Sequence, residues 1–210
     1  APYLLPLFIG SFSKKYPDLN IKIKELLTDE ILAELDKDLL DVGIVSTPIP
    51  SGVYQERPIY YEQIFIYCHP KHPFYKKKSI SINELMNENI WLLSQGHCFR
   101  SQVINICALK DDAPTLPFTY ESASIETLIK MVDKQGGITL IPELAVNDLS
   151  TKKKEGVKPI DEMNPVREVG LITNRIFVKQ RVLEALENGI GEVIPDSIKR
   201  SDRGERVEWK

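Results

Sequence analysis

Two cysteines, Cys98 and Cys107, stand nine positions apart in the run Gln95-Gly96-His97-Cys98-Phe99-Arg100-Ser101-Gln102-Val103-Ile104-Asn105-Ile106-Cys107. A thiolate is the nucleophilic form of cysteine, and a helix N-terminus with cations beside it lowers a thiol pKa from about 8.5. His97 and Arg100 are the candidate cations beside Cys98, and Gly96 lets the backbone turn just before it. With residues 99 to 110 helical, Phe99, Val103, Ile106, Cys107 and Lys110 recur at i, i+4, i+7, i+8 and i+11. Cys107 then lies on the core-facing stripe and Cys98 at the start of the helix. Nine helical steps span about 13.5 Å, whereas a disulfide needs Cα atoms about 4.4 to 6.8 Å apart. The two thiols cannot pair while the helix persists, and pairing requires it to unwind, the two-state behaviour a redox switch needs. The other reading stays open at this level: free cysteines commonly serve as small buried hydrophobes.

The surrounding pattern is that of an α/β protein. Ile90 to Leu93 reads as a buried strand leading into the cysteine segment, which places the thiols at the carboxyl edge of a sheet, where open α/β folds carry their chemistry. Upstream, Tyr3 to Phe12 reads as an apolar helix and Ile21-Lys22-Ile23-Lys24 as an alternating strand. Thr28-Asp29-Glu30 supplies an N-cap and acidic first turn, and Leu40 to Val45 a short buried strand. Helix, strand, helix, strand over residues 1 to 45 is the rhythm of a parallel sheet covered by helices. Pro48, Pro50, Gly52 and Pro58 mark a loop, Glu62 to Tyr67 a strand, and Cys68 to Lys78 a linker. Ser81-Ile82-Asn83-Glu84 matches a capping box for a brief helix to about Asn87. Farther on come a strand at Phe118 to Tyr120, a helix through Ile125 and Val132 ended by Gly136-Gly137, a strand at Ile138 to Ile141 and a helix whose first residue is Pro142. Val166 to Thr173 reads as a returning strand and Val178 to Ile190 as an amphipathic helix. Residues 199 to 210 are mostly charged and are expected to fray.

Composition excludes several classes. The 210 residues carry 42% hydrophobic content and a formal net charge of -3, so no overall basic field holds the chain on nucleic acid or an anionic membrane. No apolar run approaches the ~18 residues of a membrane span. Three cysteines argue for a reducing, cytoplasmic compartment rather than a secreted disulfide framework. The chain contains no phosphate-binding loop, Gly-x-Gly-x-x-Gly fingerprint, nucleophile elbow or His-Glu-x-x-His, so no nucleotide cofactor is expected. Cys68, His69 and His72 fall close together, but two prolines stiffen the run and no fourth ligand accompanies them; no metal is expected.

The segments Leu40-Asp41-Val42-Gly43-Ile44-Val45, His72-Pro73, Ser124-Ile125-Glu126-Thr127-Leu128 and Met131 through Pro142 resemble the effector-binding domain of LysR-type transcriptional regulators. Within that family, Gly96 to Gln102 followed by Cys107 resembles the redox segment of the peroxide-sensing branch. The resemblance implies two Rossmann-like lobes of the type 2 periplasmic-binding-protein kind with a central cleft: residues 1–73 and 166–198 as lobe I, 74–165 as lobe II, and 199–210 as a charged tail. It implies that Cys98 is the peroxidatic thiol and Cys107 the resolving one, with His97, Arg100 and Thr28 forming the peroxide and thiolate environment. Ser46 and Thr47 lie where a second hydroxyl helps, and Cys68 has no counterpart. The implied partners are hydrogen peroxide, further copies of the chain in a homodimer or homotetramer, a reductant such as glutaredoxin or thioredoxin, and promoter DNA. The DNA contact would run through a winged helix-turn-helix domain absent from this chain, as the start at Ala1-Pro2-Tyr3 without Met also suggests. On this reading the domain is a sensor and not an enzyme. Two alternatives remain: a LysR-type domain binding a small organic effector in the cleft, and a thiol peroxidase-like enzyme that turns over.

Overall fold

A computed structural model describes residues 1–49, 52–86, 88–107, 124–161, 163–175 and 177–208. The expected strand at Phe118 to Tyr120 and the position of Lys110 lie outside the described residues. The chain divides into two compact units, residues 1–61 with 168–202, and residues 62–167 with 203–210.

In the first unit, α1 (Leu5–Lys15) opens with a proline in its first turn, where no amide hydrogen bond is lost, and ends on Lys14 and Lys15, which suit the negative end of the helix dipole. It buries Phe8 and Phe12 against α8 (Gln180–Val193). There Gly189 lets Phe12 approach so closely that a Cβ would stand 2.7 Å from the ring. Helix α2 (Thr28–Asp36) rests on β1 (Gly43–Thr47), and Ile31 packs over Gly43, where a Cβ would come within 2.6 Å of it. Strand β1 pairs antiparallel with β6 (Val166–Asn174), from Gly43 opposite Ile172 to Thr47 opposite Glu168. The long β2 (Tyr54–Cys68) follows β6 in strand order.

The second unit is built on the later half of β2. Ile64 to Cys68 pairs antiparallel with β4 (Ile138–Pro142), which is buried along its whole length as a central strand should be. Strand β3 (Ile90–Trp91) runs parallel to β4, and β5 (Val157–Lys158) pairs with β2 at Ile66 and Tyr67. Helices α3 (Ile82–Leu85), α4 (Cys98–Cys107), α5 (Ile125–Gln135), α6 (Glu143–Asn147) and α7 (Thr151–Lys154) belong to it. Helix α3 starts with the expected capping box, the Glu84 carboxylate accepting from Ser81 N and Oγ, both at 3.2 Å. Helix α5 ends where Gly136 takes φ 86°, a conformation open to glycine.

Several expectations are corrected. Ile21 to Lys24 is not a strand: Ile21 and Ile23 are 36% and 49% exposed, and alternation makes a strand only when a ladder partner covers its apolar side. Strand β2 begins eight residues before Glu62 and runs through Pro58, so the chain passes between the units inside a strand and not in the Pro- and Lys-rich run after Cys68. Strands β1 and β6 of the first unit pair antiparallel where a parallel sheet was expected. Thr28 is the first residue of α2 and not its cap; Glu30 reaches back to Leu27 N at 2.8 Å instead. Pro142 ends β4 and precedes α6, and Val178, 84% exposed, precedes α8. The C-terminal residues do not fray as a whole: Val207 is buried and its N–H donates to Val166 O at 2.8 Å.

Gly170 in β6 sits where a Cβ would stand 2.7 Å from Arg57 O, a backbone atom that cannot swing aside. Gly170→Ala is expected to destabilise the chain by about 1–3 kcal/mol; urea unfolding checks this, and an unchanged midpoint would show the strands are not so close.

Candidate functional site

The site is assembled on α4 and the turn before it. After β3, Leu93 is buried and Gly96 takes φ 88°, a value that favours glycine. The chain then turns into α4 with Arg100 N and Ser101 N donating to His97 O at 2.9 and 3.4 Å. Phe99, Val103, Ile106 and Cys107 form the buried stripe that the spacing predicts. The helix begins on Cys98, which is partly exposed, and ends on Cys107, which is fully buried; neither is in a disulfide. Over a ten-residue helix the two Cα atoms are held about 13.5 Å apart, so this is the dithiol arrangement and the bond is geometrically closed to it.

Burial pushes the Cys107 thiol up to about 12, so it is a protonated, non-nucleophilic group at neutral pH. Cys68 is likewise pushed up, to about 11 by burial, and its Sγ lies 3.2 Å from Gly156 O. It ends β2 inside the sheet, which explains it structurally. His69 Nδ1 accepts from Lys71 N at 3.1 Å, while His72 Nδ1 accepts from Phe74 N and its Nε2 lies 3.3 Å from Glu88. These three side chains therefore have separate local partners and do not converge.

Arg100 turns back from α4, and its Nη1 donates to Leu93 O at 2.9 Å, tying the first helical turn to the end of the strand segment before it. His97 is partly exposed in the turn. Thr28, Ser46 and Thr47 are buried in the first unit, at the start of α2 and the end of β1. Thr47 Oγ1 donates to Glu168 at 2.6 Å, so that hydroxyl has a committed structural partner. The second unit thus brings together Cys98, Cys107, His97 and Arg100; the three hydroxyl residues belong to the other unit.

The structure adds residues with no motif to reveal them. Glu62, fully buried in β2, receives Arg167 Nε at 2.7 Å and Nη2 at 2.5 Å, and its other oxygen accepts from Leu144 N at 3.0 Å near the start of α6. The Arg167 guanidinium lies 5.1 Å from the centroid of the Phe99 ring, next to Cys98 in sequence, a cation–π contact. Gln102, also fully buried, donates from Nε2 to Val207 O at 2.9 Å. One sequence signal was available: Gln102 and Glu62 are polar residues within apolar surroundings, and burying such groups demands partners.

The family profile described as LysR substrate binding domain matches residues 1–189, and the chain belongs to this family. Its α/β units are those of the two-lobed, periplasmic-binding-protein-like fold. The chain is 31% identical over 172 residues to the hydrogen peroxide-inducible genes activator of Haemophilus influenzae, covering 82% of this chain and 56% of that protein. It is 32% identical over 175 residues to the DNA-binding transcriptional dual regulator OxyR of Escherichia coli, with the same coverage. The crystal structure of OxyR from Porphyromonas gingivalis superposes with a TM-score of 0.88 at 29% identity, covering 99% of this chain and 94% of that one. These relatives are a genes activator and a transcriptional regulator, and the chain spans just over half the length of the two curated proteins. Among the described residues no helix is long and apolar enough to cross a membrane.

Three outcomes are expected. In the native chain at pH 8 a disulfide-exchange reagent should label Cys98 first, with Cys68 and Cys107 reacting only after urea is added; equal rates for all three would contradict their burial. Because the folded pKa of Cys107 is raised, its contribution to stability is complete below the unfolded thiol value and is lost as the pH rises from about 9 towards 12. Cys107→Ala should flatten that alkaline limb of the stability curve. Separately, Glu62→Gln should cost about 3–5 kcal/mol by removing the buried anion that Arg167 pairs with, and pairing it with Arg167→Met should recover part of the loss in urea unfolding.

Proposed function

We propose that this chain is the redox-sensing regulatory domain of a cytoplasmic, peroxide-responsive transcription regulator. The observation that carries the reading is the placement of two reduced cysteines at opposite ends of one helix, Cys98 partly exposed and Cys107 sealed. The names of the relatives supply the stimulus and the readout: peroxide induction and DNA binding.

In the proposed sequence the Cys98 thiolate attacks one oxygen of hydrogen peroxide, becoming a sulfenic acid as the second oxygen leaves as hydroxide and takes a proton to form water. The sulfenic acid then condenses with Cys107, whose sulfur displaces a second water and closes the disulfide. The second step cannot occur on the intact helix. Burial keeps Cys107 protonated, and the helix holds it out of reach, so α4 must unwind before the bond forms. The covalent bond then retains the unwound state. His97 and Arg100 flank the reacting sulfur of Cys98 and form the surroundings of the incoming peroxide, Arg100 also fixing the turn through Leu93 O. Thr28 supplies a hydroxyl to seat peroxide, with Ser46 or Thr47 as the second; Thr47, whose proton goes to Glu168, takes part as an acceptor.

The remodelled segment changes how copies of the chain associate in a homodimer or homotetramer, and through them how a winged helix-turn-helix domain engages promoter DNA. A dithiol reductant of the glutaredoxin or thioredoxin kind resets the switch by exchange through a mixed disulfide.

Peptide mapping after dilute peroxide tests the reading. A Cys98–Cys107 disulfide is expected, with about one peroxide consumed per chain before the reaction stops. Cys98→Ser should abolish the response, and Cys107→Ser should leave Cys98 as sulfenic acid or carry it to sulfinic acid. Oxidation with no such bond would sink the switch, and continued turnover far faster than the added thiol recycles the disulfide would make the chain an enzyme.

A further inference from the structure

Residues 203–208, remote in sequence from the thiols, are fastened to the helix that carries them. Arg203 begins the segment with two bonds to Glu143 of α6, at 2.5 and 2.9 Å. Glu205 N donates to Met163 O at 3.1 Å, Val166 N donates to Glu205 O at 2.8 Å, and Val207 N donates to Val166 O at 2.8 Å, so the segment lies along the start of β6. Val207 is 4% exposed, and Gly204 passes so near Asn164 that a Cβ would fall 1.9 Å from its carbonyl oxygen. From α4, Gln102 Nε2 donates to Val207 O and Asn105 Nδ2 to Glu208 O, both at 2.9 Å. The Gln102 side chain is fully buried and its Oε1 has no hydrogen-bond partner among the described residues, so no second bond supports the amide.

Gln102 and Asn105 both lie between Cys98 and Cys107. For the two sulfurs to move from opposite ends of a helix to bonding distance, the backbone between them must be rebuilt, and the two amides cannot keep their places while this happens. We propose that residues 203–208 form a redox-released clamp, seated on α4 while the thiols are reduced and freed when Cys98 and Cys107 join. The clamp rests on the switch reading above and extends it to a second element that reports the redox state. Linkage makes the effect reciprocal. A segment that binds only the helical, dithiol state also opposes oxidation, so the clamp sets how oxidising the surroundings must be before the switch closes. In a glutathione buffer the balance is explicit: one glutathione disulfide takes two electrons and two protons from the Cys98 and Cys107 thiols, giving two glutathione thiols and the protein disulfide.

The test uses the 210-residue chain with two variants that leave α4 untouched. Val207→Asp puts a carboxylate where a buried valine sits, and a chain ended after Arg203 removes the clamp while keeping the bonds to Glu143. In the parent chain, amide exchange at Val166, Glu205 and Val207 should be slow in the dithiol form and at least about tenfold faster once peptide mapping shows the disulfide. Each variant should shift the thiol–disulfide equilibrium about tenfold towards the disulfide, the scale set by losing two hydrogen bonds, which for this two-electron couple is about 30 mV more negative. If either variant fails to fold, the other and the exchange measurement still decide. A disulfide that forms with exchange at those amides unchanged overturns the clamp and leaves the switch standing, as does an unshifted midpoint in both variants. Failure of the disulfide to form at all overturns the switch, and the clamp with it.

Discussion

One geometric constraint governs the second unit: a ten-residue helix with a thiol at each end keeps those thiols too far apart to bond. A helix this short is marginal on its own, so its persistence depends on what it touches. Phe99, Val103, Ile106 and Cys107 bury its inner face. Arg100 ties its first turn to Leu93 O, Arg167 lies on the Phe99 ring, and Gln102 and Asn105 hold the chain's C-terminal segment. The spacing of the thiols is therefore maintained by packing rather than by helix propensity, and it is sensitive to every element that packs there.

Glu62 shows how this support is organised. A carboxylate with no exposure to water must be matched by partners, and here the partners come from β6 and the start of α6. Its guanidinium partner then sits against the ring beside Cys98. Next to it, Glu143 accepts from Gln63 N and from Arg203, so neighbouring carboxylates fix the first turn of α6, the start of the C-terminal segment and the arginine of β6 that lies over the Phe99 ring of α4. Breaking one such partner leaves a buried charge behind. This makes the node a specific anchor even where its net contribution to stability is small.

The stripe of α4, its start at Cys98 and the capping box at Ser81 were all legible from residue spacing, because each is a local pattern whose partners lie within a few turns. The resemblance placed the cysteines in a LysR-type domain, and the family match agrees. What could not be read is non-local. Nothing around Ile21 to Lys24 says whether a neighbouring strand will pair with it, and Pro58 looks like punctuation until β2 is seen to run through it. The charged C-terminal residues suggested fraying, yet Val207 is the one apolar residue between Glu205 and Glu208, and a single valine with backbone partners suffices to seat the segment. Glu62 and Arg167 lie far apart in sequence, and no spacing rule joins them.

The energetic scale is consistent with a helix that can be displaced. Burial of an apolar side chain is worth about 1.5–3 kcal/mol, and α4 buries four apolar side chains, one of them the smaller Cys107. Inverting a hundredfold preference between two states takes about 5.5 kcal/mol. These quantities are of the same order, so on the proposed reading the apolar stripe alone could hold the thiols apart against thermal opening and still yield to a covalent bond. Contacts from outside the stripe then matter out of proportion to their number, because each moves a balance that is already close. Arg100, Arg167, Gln102 and Asn105 are such contacts, and none of them needs to touch peroxide to alter the condition under which the thiols join.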